Sequence, residues 1–151
     1  MFFTELVRLQ IDLWNAVDAR LKADHAVPLA SYEFLRIIHT RGGCRVGDIA
    51  EDLSITVGGT SKLVDRLETG GFVLRRSNPD DRRSSIIDLT ESGHSAFGLA
   101  RSIVADELHR RLGSTLPHAE LDRLTATLVL LRGSVRNTES PSTASDERIS
   151  R

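Results

Sequence analysis

Residues 67–93 read LETGGFVLRRSNPDDRRSSIIDLTESG, and this stretch decides the class of fold. Two short runs rich in β-branched and aromatic residues, 72–77 and 84–90, flank the segment NPDDRR. Runs of this composition favour strands, and proline and aspartate favour the turn between them. The stretch therefore predicts a β-hairpin.

A pair of short helices precedes the hairpin. Residues 46–53 place apolar side chains on one helical face, and a break at 54–56 separates them from a second helix over 57–69. Thr56 is the predicted N-cap of that second helix, and a Gly-Gly pair ends it. Two short helices joined by a tight turn form a helix-turn-helix. With the hairpin directly after it, the pattern predicts a winged helix.

Longer helices surround this unit. Apolar periodicity and capping residues predict helices over 3–22, from the N-cap Ser31 to His39, from Glu91 (capped by Thr90) to about Leu112, and from Leu116-Pro117 to Arg136. The predicted fold class is mostly α, with a small β-hairpin wing.

Positive charge concentrates in the winged helix. Residues 56–83 contain six Lys or Arg and four Asp or Glu, so this window carries +2 in a chain of net charge −1. Helical spacing turns Ser61, Lys62, Asp65 and Arg66 outward. An exposed helix of this kind fits the major groove of DNA and reaches base edges there. Asp65 would repel phosphate, so it must accept from a base or orient a cation.

The wing carries the other cations. Arg75 and Arg76 lie at the base of the hairpin, and Arg82 and Arg83 lie at its tip. A narrow, A·T-rich minor groove concentrates negative potential and attracts arginine. The pattern predicts a protein that binds double-stranded DNA with both its second short helix and its wing.

Apolar stripes at the two ends of the chain predict a second surface. Two overlapping stripes make the first helix apolar over most of its circumference, and leucines repeat at steps of three and four in the last helix. The alternative is that the leucines pack only within their own chain. The residues predicted to form a dimer interface are Phe3, Leu6, Leu9, Leu13, Leu121, Leu124, Leu128 and Leu131.

The segment quoted above resembles the hallmark of MarR-type transcriptional regulators. The matching elements are Leu67 at the end of the recognition helix, the strand start 71–75, the wing tip 81–83, and Leu-Thr-x-x-Gly at 89–93. The upstream DIAEDLSI is also similar to the family pattern. By motif the resemblance spans about residues 30–95, and the helices at 3–22 and 91–136 match by order and length only.

The resemblance implies a homodimer built from the first, fifth and sixth helices, which binds a pseudo-palindromic operator. It implies a repressor that responds to a small aromatic or anionic effector. It assigns Arg83 to the minor groove and Asp81 to the positioning of Arg83. It also implies a domain division into a winged helix-turn-helix DNA-binding domain at 29–90 and a dimerisation region at 1–28 and 91–136. Residues 137–151, poor in aliphatic side chains, predict a disordered tail.

The chain departs from the family at Gly58 and Gly59, where family members carry larger polar residues. The two glycines remove side chains that read bases, and they allow a close backbone approach to DNA. The residues predicted to contact DNA are Thr56, Gly58, Gly59, Ser61, Lys62, Arg66, Arg75, Arg76, Asp81, Arg82 and Arg83. Helix position alone suggests an effector pocket at Trp14, Tyr32, His39 and Phe97.

Several other classes are disfavoured. Residues 93–98 miss the Gly-x-Ser-x-Gly pattern by one residue, and 58–62 lack the Gly-Lys-Ser/Thr of a P-loop, so we predict no enzyme and no cofactor. The five histidines show no zinc-ligand spacing, and we predict no metal. The single cysteine, Cys44, falls in a predicted short strand, where we expect a small buried residue. Alternatives left open are a winged-helix module that binds protein, and a zinc- or redox-responsive regulator of the same fold.

The location of the protein is also an expectation. No apolar run approaches the ~18 residues of a membrane span. The start of the chain, MFFTELVRLQIDLW, lacks a basic n-region and carries two acidic residues. We expect a cytoplasmic protein.

Overall fold

The computed structural model describes residues 1–138 of the 151-residue chain, with side chains as far as Arg136. In this part of the chain the elements are α1 (Phe2–Ala23), α2 (Leu29–Arg41), α3 (Val46–Leu53), α4 (Val57–Thr69), β1 (Val73–Ser77), β2 (Ser85–Leu89), α5 (Glu91–Leu112) and α6 (His118–Thr138). The mostly α winged helix-turn-helix fold is confirmed. The bounds of α3, α4 and α5 agree with prediction, and each strand is shorter than its predicted run.

The start of α2 corrects the prediction of Ser31 as its N-cap. The N-cap is Pro28, three residues earlier, and the helix begins at Leu29. The carboxylate of Asp18 in α1 accepts a hydrogen bond from the N–H of Leu29 at 2.9 Å, and so satisfies one free donor of the first turn. This cap comes from eleven residues away, and local sequence does not reveal it.

The end of α6 lies two residues beyond the predicted boundary at Arg136. The helix runs through Thr138, so Asn137 and Thr138 are helical and do not belong to the predicted tail. The remainder of that tail, residues 139–151, lies outside the described residues.

The described part of the chain divides into two compact units, one from Met1 to Arg110 and a second that begins at Arg111. In the first, one apolar core contains side chains of α1 to α5 and of both strands, among them Leu21, Leu35, Ile49, Val64, Ile87 and Phe97. In the second, nearly every side chain of α6 is exposed. The predicted division into a DNA-binding domain and a dimerisation region stays a prediction.

The wing is an antiparallel hairpin in which Val73 pairs with Leu89 and Ser77 with Ser85. Cys44 adds a single bridge: its N–H donates to Ile87 at 3.1 Å and its carbonyl accepts from Ile87 at 2.8 Å. The segment between α2 and α3 is thereby fixed to the base of the wing. Between residues 1 and 138, no helix combines the length and apolar character that membrane crossing requires.

Candidate nucleic-acid interface

The second helix of the helix-turn-helix, α4, has one buried side and one bare side. Thr56 caps it, because its hydroxyl accepts a hydrogen bond from the N–H of Gly59 at 3.2 Å. Thr60, Val64 and Leu67 are buried against the core. The first turn leaves Thr56, Gly58 and Gly59 exposed to solvent. The bare side of α4 is therefore available to a partner along its whole length.

Two cations stand on the bare side of α4. Lys62 and Arg66 are exposed, and neither has an ion pair or side-chain hydrogen bond within residues 1–138. Ser61, predicted to point outward, is only half exposed because it lies at the border of the buried side. The free charges of Lys62 and Arg66 can therefore bind an anion without breaking a pair.

Arg75, which the sequence predicts to contact DNA, lies on β1 and is paired within the chain. Its guanidinium lies 2.6 Å from a carboxylate oxygen of Asp65 and also bonds to Glu68, both on α4. The hydrogen bond with Asp65 raises the pKa of Arg75. Arg75 starts on β1, so this double pair joins the wing to the helix. Of the two roles considered for Asp65, the structure gives it that of orienting a cation.

Arg76 pairs within the hairpin. Its guanidinium bonds to Asp88 on the neighbouring strand, while more than half of the Arg76 side chain stays exposed. The charge of Arg76 is thus partly balanced inside the chain. The ion pairs of Arg75 and Arg76 therefore hold the wing in place without a bound partner.

The tip of the wing is held by its own polar groups. Asn78, buried in the turn, donates to the hydroxyl of Ser84 at 2.8 Å and accepts from the N–H of Asp80 at 3.0 Å. A carboxylate oxygen of Asp81 accepts from the N–H of Arg83 at 3.0 Å. Asp81 therefore holds Arg83 through its backbone and leaves the guanidinium free.

Arg82 and Arg83 project from this closed turn. Both side chains are exposed and form no ion pair among the described residues. Arg83 also lines an open cleft of ≈ 410 Å³ between the start of α3 and the wing, together with Arg45, Val46, Gly47, Asp48, Arg75, Ser84 and Ser85. The tip thus presents two free guanidinium groups next to a cationic cleft.

Sequence reasoning missed two contributors to this region. Arg45 precedes α3, where its N–H donates to Asp48 at 2.7 Å and its side chain lines the cleft. The sequence indicates only that Arg45 lies between Cys44 and α3, and this position does not by itself predict a contact with the wing. Asn78 lies in the predicted turn, and nothing in a single sequence shows that its side chain is buried.

The four residues suggested for an effector pocket do not line one site. Tyr32 and Phe97 stack with ring centroids 5.8 Å apart, and His39 lies 4.6 Å from Phe97. The rings of Tyr32 and Phe97 are buried, and only His39 is exposed. Trp14 instead lines a shallow depression on α1 with Gln10, Ile11 and Asn15. Three of the four form a packed aromatic cluster, and the fourth lies elsewhere.

The structure argues against a redox role for Cys44. The thiol is buried, and burial raises its pKa to about 11. A reactive cysteine needs an exposed thiol of low pKa. Within residues 1–138 no three His, Cys, Asp or Glu side chains converge as metal ligands do.

We expect Cys44 to be inert in the folded protein. At pH 8 a pKa of about 11 leaves roughly one thiol in a thousand ionised. Ellman's reagent should label the native protein far more slowly than the protein unfolded in guanidinium chloride, which serves as the control. Equal labelling rates in the two states would contradict the burial of this thiol.

The helix-turn-helix and the wing described above match the sequence of a known protein family. The sequence model of the MarR family matches residues 27–85, which run from the start of α2 into the wing. The matched segment of this chain is a MarR-family domain. The Arg75 clamp, by which we mean the ion pairs of Arg75 with Asp65 and Glu68, lies within this matched segment, as does the wing tip.

Two relatives of known sequence match parts of the chain. An uncharacterised helix-turn-helix transcriptional regulator of Bacillus subtilis, YfiV, is 36% identical over 77 residues, which cover 51% of this chain and 47% of YfiV. The multiple antibiotic resistance protein MarR of Escherichia coli is 27% identical over 128 residues, 81% of this chain and 89% of that protein. The chain spans less than half the length of YfiV. These relatives are regulators, which supports the prediction that the chain is not an enzyme.

Solved structures agree with the fold. The transcriptional repressor CouR, bound to a 23-mer DNA duplex, is 26% identical with a TM-score of 0.79, over 87% of this chain and 92% of CouR. AbsC, a MarR-family regulator of Streptomyces coelicolor, is 19% identical with a TM-score of 0.77, over 89% of this chain and 92% of AbsC. The winged helix of this chain therefore has the MarR arrangement.

Proposed function

We propose that this chain, which contains a MarR-family domain, is a cytoplasmic, sequence-specific regulator of transcription that binds double-stranded DNA as a homodimer. One observation carries the proposal. Lys62 and Arg66 on α4, and Arg82 and Arg83 on the wing tip, are exposed and unpaired among the described residues, and the Arg75 clamp joins the two elements that bear them. DNA binding by the relative CouR supports the same conclusion.

The apolar surface of α1 supports the homodimer. Phe2 and Phe3 are 71% and 74% exposed, and Leu6 and Leu9 are also open to solvent, whereas Leu13 is half buried. Monomeric proteins rarely expose contiguous apolar patches of this kind. A second copy of the chain would bury them.

The leucine seam of α6 is likewise exposed. Leu124, Leu128 and Leu131 lie open to solvent with Leu130, while Leu121 is half buried. The alternative that these leucines pack only within their own chain receives no support within the described residues. Burial in a dimer would remove this apolar area from water and stabilise the helix.

Repression and response to an effector rest on the family resemblance. For the effector, the cluster of Tyr32, His39 and Phe97 offers aromatic surface, of which His39 is the exposed member. We propose that an aromatic or anionic effector acts there and shifts the affinity for a pseudo-palindromic operator.

DNA binding is tested by fluorescence anisotropy. The purified protein is titrated into labelled duplex from the DNA flanking its own gene, and into a scrambled duplex, at two salt concentrations. We expect preference for the first duplex, two chains per site, and an affinity that falls with salt at about −0.9 in log–log slope per neutralised phosphate. Lys62→Ala should flatten that slope by about one.

Other outcomes separate the alternatives. Equal binding to both duplexes would mean a nonspecific DNA-binding protein or an operator elsewhere. No binding at low salt would overturn the proposal and favour the winged-helix module that binds protein.

A further inference from the structure

The centre of the bare side of α4 is a glycine. The helix turns about 100° per residue, so the side opposite the buried Thr60, Val64 and Leu67 is centred on Gly58 and, one turn later, Lys62. In the first turn of α4, the backbone is therefore the group that contacts any molecule bound to this side.

Nothing among the described residues requires a glycine at position 58. A Cβ built there would have no described heavy atom within 4 Å beyond its chain neighbours and its own helix backbone, and the backbone of Gly58 is not in the left-handed region. By contrast, a Cβ at Gly59 would lie 3.2 Å from the capping hydroxyl of Thr56. Glycine weakens a helix relative to alanine. Because no contact among the described residues accounts for Gly58, we look for its benefit in a contact with another molecule.

Exposed apolar side chains stand next to this glycine. Val57 is 57% exposed at the first position of α4, and Ile55, in the turn before it, is 45% exposed. Val57 shares α4 with the unpaired cations Lys62 and Arg66, and Ile55 lies just before that helix. A partner that contacts both the cations and the apolar side chains carries negative charge and also exposes an apolar group. The major groove of DNA does so, because thymine places a C5-methyl group there.

We propose that α4 docks in the major groove at Gly58, where the missing Cβ lets the backbone approach the bases, and that Val57 packs on a thymine methyl group. This inference rests on the proposed function and adds to it the base that the helix reads. Base recognition would then depend on an apolar contact in the first turn of α4, where Gly58 and Gly59 provide no polar side chain to contact the bases.

The first test removes the methyl group. The probe is a labelled duplex selected by the wild-type protein from a random-sequence pool, and each thymine is replaced in turn by deoxyuridine, which keeps the hydrogen-bonding edge. We expect at least one thymine whose replacement weakens binding by about fourfold per methyl group. In Val57→Ala the same replacement should have no further effect. If every thymine tolerates replacement, or if Val57→Ala responds as the wild type does, the inference is wrong.

The second test uses two glycines. Gly58→Ala should raise the midpoint of thermal unfolding by about 1–3 °C and weaken binding to the selected duplex by about tenfold. Gly98→Ala, on α5, is the control, because a Cβ at Gly98 would also have no heavy atom within 4 Å. It should raise the midpoint and leave affinity unchanged. Unchanged affinity in Gly58→Ala would overturn the inference, whereas failure to select any duplex would instead overturn the proposed function.

Discussion

Replacing Gly93 with alanine is expected to destabilise the protein by about 3 kcal/mol or more. A Cβ at this buried position would lie 1.9 Å from the carbonyl oxygen of Phe72 and 3.0 Å from its carbonyl carbon. Both atoms belong to the backbone, so no side-chain rotation relieves the overlap. The start of α5 would have to move away from the segment that links α4 to the wing.

The hydrogen bonds at this junction would be lost with that movement. The N–H of Thr90 donates to the carbonyl of Phe72 at 3.1 Å, and the Thr90 hydroxyl donates to the carbonyl of Gly71 at 2.6 Å. The same hydroxyl accepts from the N–H of Gly93 at 3.0 Å, which caps α5. Gly93 therefore holds the long helix against the base of the wing.

Urea unfolding followed by circular dichroism measures this effect, with both proteins at one concentration because dimerisation adds to stability. Gly98→Ala is again the matched control, and it should stabilise α5 by up to about 1 kcal/mol. If the two variants unfold at the same urea concentration, the close contact with Phe72 does not exist in solution.

Arg83→Ala is expected to weaken DNA binding by about 1–3 kcal/mol, a loss of roughly tenfold to a hundredfold, without changing stability. The Arg83 guanidinium has no ion pair among the described residues, and Asp81 holds its backbone at the wing tip. The side chain therefore contributes little to the fold and is directed to a partner. Minor-groove arginines insert where A·T pairs narrow the groove.

Arg101→Ala supplies the control for this loss. Arg101 is exposed on α5, outside the proposed interface, and its replacement removes the same charge. Anisotropy titrations of both variants and of the wild type, at one salt concentration, separate the local contact from the change in net charge. If Arg83→Ala binds as tightly as Arg101→Ala, the wing tip takes no part in recognition.

The local elements could be read from the sequence. Thr56 and Thr90 cap their helices as predicted, and α3, α4 and α5 have the predicted bounds. Caps, glycine breaks and apolar periodicity act over a few residues, so the sequence displays them directly. The hairpin and the exposure of Lys62 and Arg66 could be predicted from the sequence for the same reason.

Contacts between distant residues could not be read in this way. Asp18 accepts a hydrogen bond from the first residue of α2, and Arg75 forms ion pairs with Asp65 and Glu68. The need for glycine at position 93 is seen only from the nearby carbonyl of Phe72. Each depends on which backbone groups the fold brings within a few ångströms.

The sequence by itself determined the order of the elements, the winged helix and its concentration of positive charge, because these follow from local propensity and composition. The tertiary structure alone decided which cations remain free to bind a partner and which are used inside the chain. Arg75 and Arg83 are eight positions apart in the same hairpin, yet one is clamped to α4 and the other is exposed. The physical reason is that ion pairing depends on distances of a few ångströms, which only packing sets.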